Sequence, residues 1–130
     1  MWSHPQFEKG SGVTKKILKE GNGVDKPVKG DDIVMNYRGC LYDSSKPSEH
    51  FMGRKFDSTE ERGEFKTKIG IGVVIRGWDE AVLQMSLGEK SILTITDDYA
   101  YGARGFPGLI PPHATLVFEV ELKGINSKRA

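Results

Sequence analysis

The sequence predicts an α+β domain, an antiparallel β-sheet with one short α-helix laid across its apolar face. Three observations predict it. Near the end of the chain, Leu116, Phe118, Val120 and Leu122 alternate with Val117, Glu119, Glu121 and Lys123, the period-two pattern of a half-buried strand. Several further β-branched and aromatic runs are separated by Gly- and Asp-rich clusters that read as turns. Only one stretch has helical periodicity: Trp78, Ala81, Val82 and Met85 recur at i, i+3, i+4 and i+7.

In chain order, Trp2 to Lys9 is similar to a streptavidin-affinity tag and Gly10-Ser11 to its linker, so residues 1–11 stand apart from a folded domain at 12–130. Val13 to Glu20 is a candidate first strand and Ile33 to Tyr37 a second. Ser44 to Arg54 is polar, contains Pro47 and Gly53, and reads as a surface excursion. Lys55 to Asp57 and Phe65 to Ile69 are short strand candidates, with Gly70-Ile71-Gly72 a backbone turn after them. The helix follows Gly77; Asp79 and Glu80 in its first turn favour its dipole, and Gly88 reads as its stop. Ser91 to Thr96 is the next strand. Tyr101 to His113 is too rich in Gly and Pro for either regular structure, and the final Lys128-Arg129 reads as a solvated tail.

Composition excludes several function classes. With 19 Lys and Arg against 18 Asp and Glu, the net charge is +1, and no basic stripe points to nucleic acid or anionic lipid. No apolar run is long enough to span a bilayer as a helix. The single cysteine, Cys40, rules out an internal disulfide and reads as a small buried apolar residue. His4, His50 and His113 lack metal-ligand spacing, so neither metal nor cofactor is expected. A monomer of a reducing compartment is the expectation: cytoplasmic, with the nucleus also open to it.

The aromatic residues carry the one unusual signal. Tyr37, Phe56, Phe65, Trp78, Tyr101, Phe106 and Phe118 come from separate segments, two of them irregular. Core packing accounts for Phe118 and Trp78. Rings on a Gly-rich surface loop, such as Tyr101 and Phe106, suit the wall of a concave site equally well. The residues alone leave a filled core and an aromatic pocket both open.

Six runs in order carry a resemblance: Tyr37-x-Gly39, Lys55-Phe56-Asp57-Ser58, Val74 to Glu80, Gln84-Met85-Ser86, Tyr99-Ala100-Tyr101-Gly102, and Gly108 to Leu116. From about Val13 to Asn126 the chain resembles the FKBP immunophilins, which are peptidyl-prolyl cis–trans isomerases. The resemblance implies an antiparallel, twisted sheet wrapped around the short helix, with a shallow apolar pocket between them. It puts Trp78 at the pocket floor and Tyr37, Phe56, Phe65, Val74, Ile75, Ile110 and Phe118 on its walls. Tyr101 matches a phenol that hydrogen-bonds the ligand, the Ile75 N–H a second donor, and Asp57 the pocket carboxylate. Tyr37, Asp57, Trp78, Tyr101 and Phe118 are thereby the candidate catalytic residues. Phe106, where other members often carry a different ring, joins the binding residues.

The same resemblance implies X-Pro peptides and folding proteins as substrates, and tacrolimus and rapamycin as ligands. The drug complexes would present a surface, including the outward-facing Arg104 and Phe106, to calcineurin or the TOR kinase. Read without it, Asp57 before Ser58-Thr59 organises a turn or pairs with Arg62. The chain departs from the simplest members by the added residues of Ser44 to Arg54, and by a slightly shorter Arg62-Gly63-Glu64-Phe65.

Overall fold

The alternating run becomes the central strand of the sheet. In the computed structural model, which describes residues 12–130, Leu116–Ile125 pairs along its length on one side and over Leu116 to Glu121 on the other. The expected tag and linker, residues 1–11, lie outside the described residues. In chain order the strands are β1 (Val13–Lys19), β2 (Asp32–Tyr42), β3 (Met52–Ser58), β4 (Phe65–Lys68), β5 (Lys90–Ile95), β6 (Leu116–Ile125) and β7 (Lys128–Arg129). They form one antiparallel sheet in the order β1-β5-β6-β2-β3, with β4 also paired to β2 and β7 to β6.

Leu116, Phe118, Val120 and Leu122 face the single hydrophobic core as expected. Val117, expected on the polar face, is fully buried as well. It lies beside Cys40 across the β2–β6 ladder, so two small apolar side chains stand side by side on the outer face. Cys40 is buried, and burial raises the pKa of its thiol.

One edge of β2 serves two partners. Arg38 to Tyr42 pairs with β3, and Asp32 to Met35 with β4. Between them a one-turn helix, α1 (Thr59–Arg62), intervenes. Its Thr59 hydroxyl accepts from the Tyr37 amide at 3.0 Å, filling the gap that the strand exchange leaves at this position. The sequence reading missed α1. Ser58 caps it by accepting from the Glu60 amide at 3.0 Å, and Ser58-x-x-Glu61 has capping-box spacing, a signal that was present.

The expected helix is α2 (Arg76–Ala81), which tightens into a 3₁₀ turn at Val82–Gln84. Trp78, Ala81, Val82 and Met85 are all buried, so the apolar stripe is real although it spans two kinds of helix. The stop falls before Gly88, which instead occupies a positive-φ turn leading into β5. There the buried Glu89 accepts from Lys15 at 2.6 Å, from Ser91 at 2.7 Å and from the Ser86 amide at 3.1 Å. A buried carboxylate so fully bonded is a structural anchor.

Two further expectations change. Met52 to Arg54, placed in the polar excursion, belong to β3; the excursion shortens to a hairpin loop with a 3₁₀ turn at Pro47–Glu49. Register shifts at Cys40 and Tyr42 disrupt the alternation by which that strand would show in the sequence. Lys128-Arg129 is exposed but not a free tail. It forms β7, with Lys128 bonded to Asp25 and Arg129 to both oxygens of Glu64.

Candidate active site

The inner face of the sheet carries aromatic residues where α2 crosses it. Trp78 on α2 meets Tyr37 of β2 edge-on, ring centroids 5.0 Å apart at 83°. It meets Phe118 of β6 at 5.3 Å and 78°, and Phe65 of β4 at 5.8 Å and 74°. Phe56 of β3 stands edge-on to Phe118 at 5.6 Å. Edge-to-face pairs of this kind contribute about 0.5–1.5 kcal/mol each beyond the area they bury. The rings therefore lock one another's orientation.

Gly39 makes the arrangement possible. A Cβ there would stand 2.7 Å from Phe118 Cε1 and 2.8 Å from Phe56 Cζ, so both rings lie directly over backbone. This is the physical content of the Tyr37-x-Gly39 spacing.

Above the Trp78 ring opens a cavity of about 210 Å³. Tyr37, Phe56, Asp57, Phe65, Val74, Ile75, Trp78, Tyr101 and Phe118, all named from the sequence, line it. Val73 lines it too and was not anticipated; it sits in an irregular turn with no periodicity to reveal it. Phe106 and Ile110 do not. Phe106 is half exposed and reaches the site only through an edge-on contact with Tyr101 at 5.8 Å. Ile110 is buried in the core beneath. Three other depressions among the described residues are larger, at about 350–510 Å³, but they lie between charged side chains such as Lys66, Lys90 and Glu119. Apolar walls make the smallest of the four the candidate.

One wall is polar. The Tyr37 hydroxyl donates to Asp57 Oδ2 at 2.5 Å, and Arg62 Nη2 donates to the same oxygen at 3.0 Å and to Tyr37 Oη at 2.9 Å. Asp57 Oδ1 accepts from the Ser58 amide at 2.9 Å. Turn organiser, Arg62 partner and cavity wall are thus one and the same carboxylate. Burial, helped by the bond to Asp57, pushes the Tyr37 phenol up to about 12. Tyr101 is raised as well, by burial first and the Asp57 charge second. Both phenols are neutral donors at physiological pH.

Three donors stand without partners. The Tyr101 hydroxyl and the Ile75 N–H make no hydrogen bond among the described residues. Trp78 Nε1 is buried and equally unpaired, which in a folded interior costs about 1–3 kcal/mol. Among the described residues no group of three His, Cys, Asp or Glu side chains is placed to hold a metal ion. The site offers an aromatic recess, a fixed carboxylate and unengaged donors, and no nucleophile.

Comparison with known proteins agrees with this geometry. The profile of the family described as FKBP-type peptidyl-prolyl cis-trans isomerase matches residues 23–123. The chain is 60% identical over 115 residues to FK506-binding protein 1B of Aspergillus fumigatus, covering 88% of this chain and 95% of that protein. It is 59% identical over 116 residues to FK506-binding protein 1 of Yarrowia lipolytica, covering 88% and 99%. Against the peptidyl-prolyl cis-trans isomerase of Schizosaccharomyces pombe it is 55% identical over 120 residues, covering 92% and 99%. The chain belongs to the FKBP-type peptidyl-prolyl cis–trans isomerases.

Proposed function

We propose that the aromatic cavity over Trp78 is where X-Pro bonds isomerise, and that the same cavity takes the pipecolyl ring of tacrolimus and rapamycin. The observation that carries this reading is the convergence of rings from five separate elements on one recess beside unengaged donors. Its size supports it further. At about 210 Å³ the recess is below the roughly 300–1,000 Å³ of sites that swallow a drug-sized ligand. It suits one five- or six-membered ring, with the rest of a peptide or macrolide lying across the rim.

An X-Pro amide turns slowly because twisting breaks its resonance, at a cost of about 18–20 kcal/mol. No new bond is required. The planar amide is the more charge-separated state and water stabilises it, so a water-poor aromatic cage favours the twisted form, which is differential binding of the transition state. Trp78, Tyr37, Phe56, Phe65 and Phe118 cage the prolyl ring. The Tyr101 hydroxyl and the Ile75 N–H orient the peptide on either side of the twisting bond, and Asp57 supplies a fixed local field. The isomerase domain in this reading is residues 12–130, a cytoplasmic monomer.

The drug complexes would present the neighbouring rim to calcineurin or the TOR kinase. Relatives named for FK506, which is tacrolimus, support the ligand class. Arg104 and Phe106 are exposed on that rim, as such a role requires. The test is cis–trans exchange in a Leu-Pro peptide, with and without excess tacrolimus. Acceleration that the drug abolishes is the expected result. Acceleration that the drug leaves intact would separate the catalytic site from the drug site and overturn the shared cavity.

A further inference from the structure

The segment joining β4 to α2 carries Val73, Val74 and Ile75 of the cavity wall, yet it lies outside every strand and helix. Among the described residues, Gly70 to Val74 make two hydrogen bonds, and both end on one side chain. The Gly70 N–H donates to Asp79 Oδ1 at 2.7 Å, and the Gly72 N–H donates to Asp79 Oδ2 at 2.8 Å. Each oxygen of the carboxylate thus holds one amide. Both glycines have positive φ, +85° and +82°, a conformation that turns alternate amides inward and that other residues reach only with strain.

Asp79 grips the far end of the segment too. Its backbone N–H donates to the Ile75 carbonyl at 3.2 Å, beside the 3.0 Å bond from the Trp78 N–H. It is also the next residue after Trp78 on α2. One residue therefore joins the irregular wall to the helix that carries the floor. The helix-dipole role read from the sequence accounts for an acid in this turn, but not for two bonds leading out of the helix.

We propose that Asp79 is a positioning residue of the isomerase. Its carboxylate is a clasp that sets Val73, Val74 and the Ile75 amide at the right height over Trp78, while touching no substrate itself. Bonds from amides to an ionised carboxylate are the stronger kind, and a wall misplaced by about 1 Å can cost a hundredfold in rate. The proposal rests on the cavity being the catalytic site.

The test compares wild type with Asp79→Ala, Asp79→Asn and Asp79→Glu. Each is assayed on a Leu-Pro peptide where denaturation curves show it folded, with amide exchange followed at Gly70 and Gly72. The clasp predicts that Asp79→Ala lowers kcat/KM about tenfold, chiefly through KM, which is about 1.4 kcal/mol. Exchange at Gly70 and Gly72 speeds up together with it. Asp79→Asn, which keeps one acceptor, falls between, and Asp79→Glu, which keeps the carboxylate, recovers most of the activity. An Asp79→Ala protein with wild-type kcat/KM per folded molecule overturns the proposal, as does unchanged exchange at both glycines. Wild-type turnover separates the two failures: a silent wild type overturns the catalytic site and the clasp with it, whereas an active wild type matched by its variants overturns the clasp alone.

Discussion

The floor of the cavity and its rim are held by different physics. On the floor, Trp78 and Phe118 are each 4% exposed and Tyr37 9%, and every ring is wedged by others on paired strands or on α2. On the rim, Tyr101 is 37% exposed, Phe106 49% and Val73 60%, all on irregular segments. The rim itself divides. The loop after β5 carries its own ladder: Gly105 bonds back to Tyr101 at 3.0 Å, Phe106 and Ile110 exchange bonds at 2.8 Å, and His113 bonds to Gly102 at 2.8 Å. The segment before α2 has no such ladder and leans on Asp79. Packing is non-directional and shared among many neighbours, so the floor is over-determined. A few directional bonds decide the rim, so single changes there shift orientation before they threaten the fold.

The sharpest break of this contrast is Trp78→Ala. Removing a buried indole costs about 3–5 kcal/mol of stability, and emptying the floor lowers kcat/KM by about a hundredfold or more. Denaturant titration and peptide turnover both register the change. A stable, active Trp78→Ala protein would move the chemistry off the floor altogether.

Gly105→Ala attacks the self-bonded rim. Gly105 has φ +65°, and a Cβ would lie 2.3 Å from the Ile110 carbonyl oxygen and 2.7 Å from Pro111 carbon, backbone that has nowhere to go. A cost of about 1–3 kcal/mol is expected for the strained conformation. Because the loop carries Tyr101, KM should rise while kcat changes less. A loss confined to kcat would place this loop with the floor.

The smallest effect lies where the wall is polar. The Tyr37 phenol, ordinarily 10.0, is pushed up to about 12, so the folded state favours its protonated form. The associated stabilisation is fully present below the unfolded value near 10 and is lost as pH rises through about 12. Arg62 pulls the other way, lowering this value. Arg62→Ala should therefore move the phenolate absorbance step to still higher pH. Its effect on stability at neutral pH should stay below about 1 kcal/mol, as for other exposed pairs. A step that moves down instead would mean that Arg62 does not face the phenol in solution.

The floor was legible because its residues sit in regular elements. Phe118 lies in a clean alternation and Trp78 in a helical stripe, and each pattern names the buried face directly. Val73 and Asp79 show the other case. A valine just after Gly72 in an irregular turn has no period to read, and an acid in a first helical turn already has a local explanation. Helix α1 was legible in principle through Ser58-x-x-Glu61. The extension of β3 back to Met52 was not, because the bulges at Cys40 and Tyr42 break the two-residue period.

By itself the sequence determined the class of fold, the central strand and the helical stripe; the set of rings that meet over Trp78 came only with the family resemblance, while the elements named first needed none. Those follow from local periodicity, since which face of a strand or helix is apolar is written in neighbouring residues. Only the tertiary structure decided that Asp57 bonds Tyr37 across 20 positions, that Phe118 and Phe56 cross bare backbone at Gly39, and that Asp79 reaches Gly70 and Gly72. A hydrogen bond requires its partners within about 3 Å and in line. Which partners come that close depends on strand register and turn geometry summed over the whole sheet.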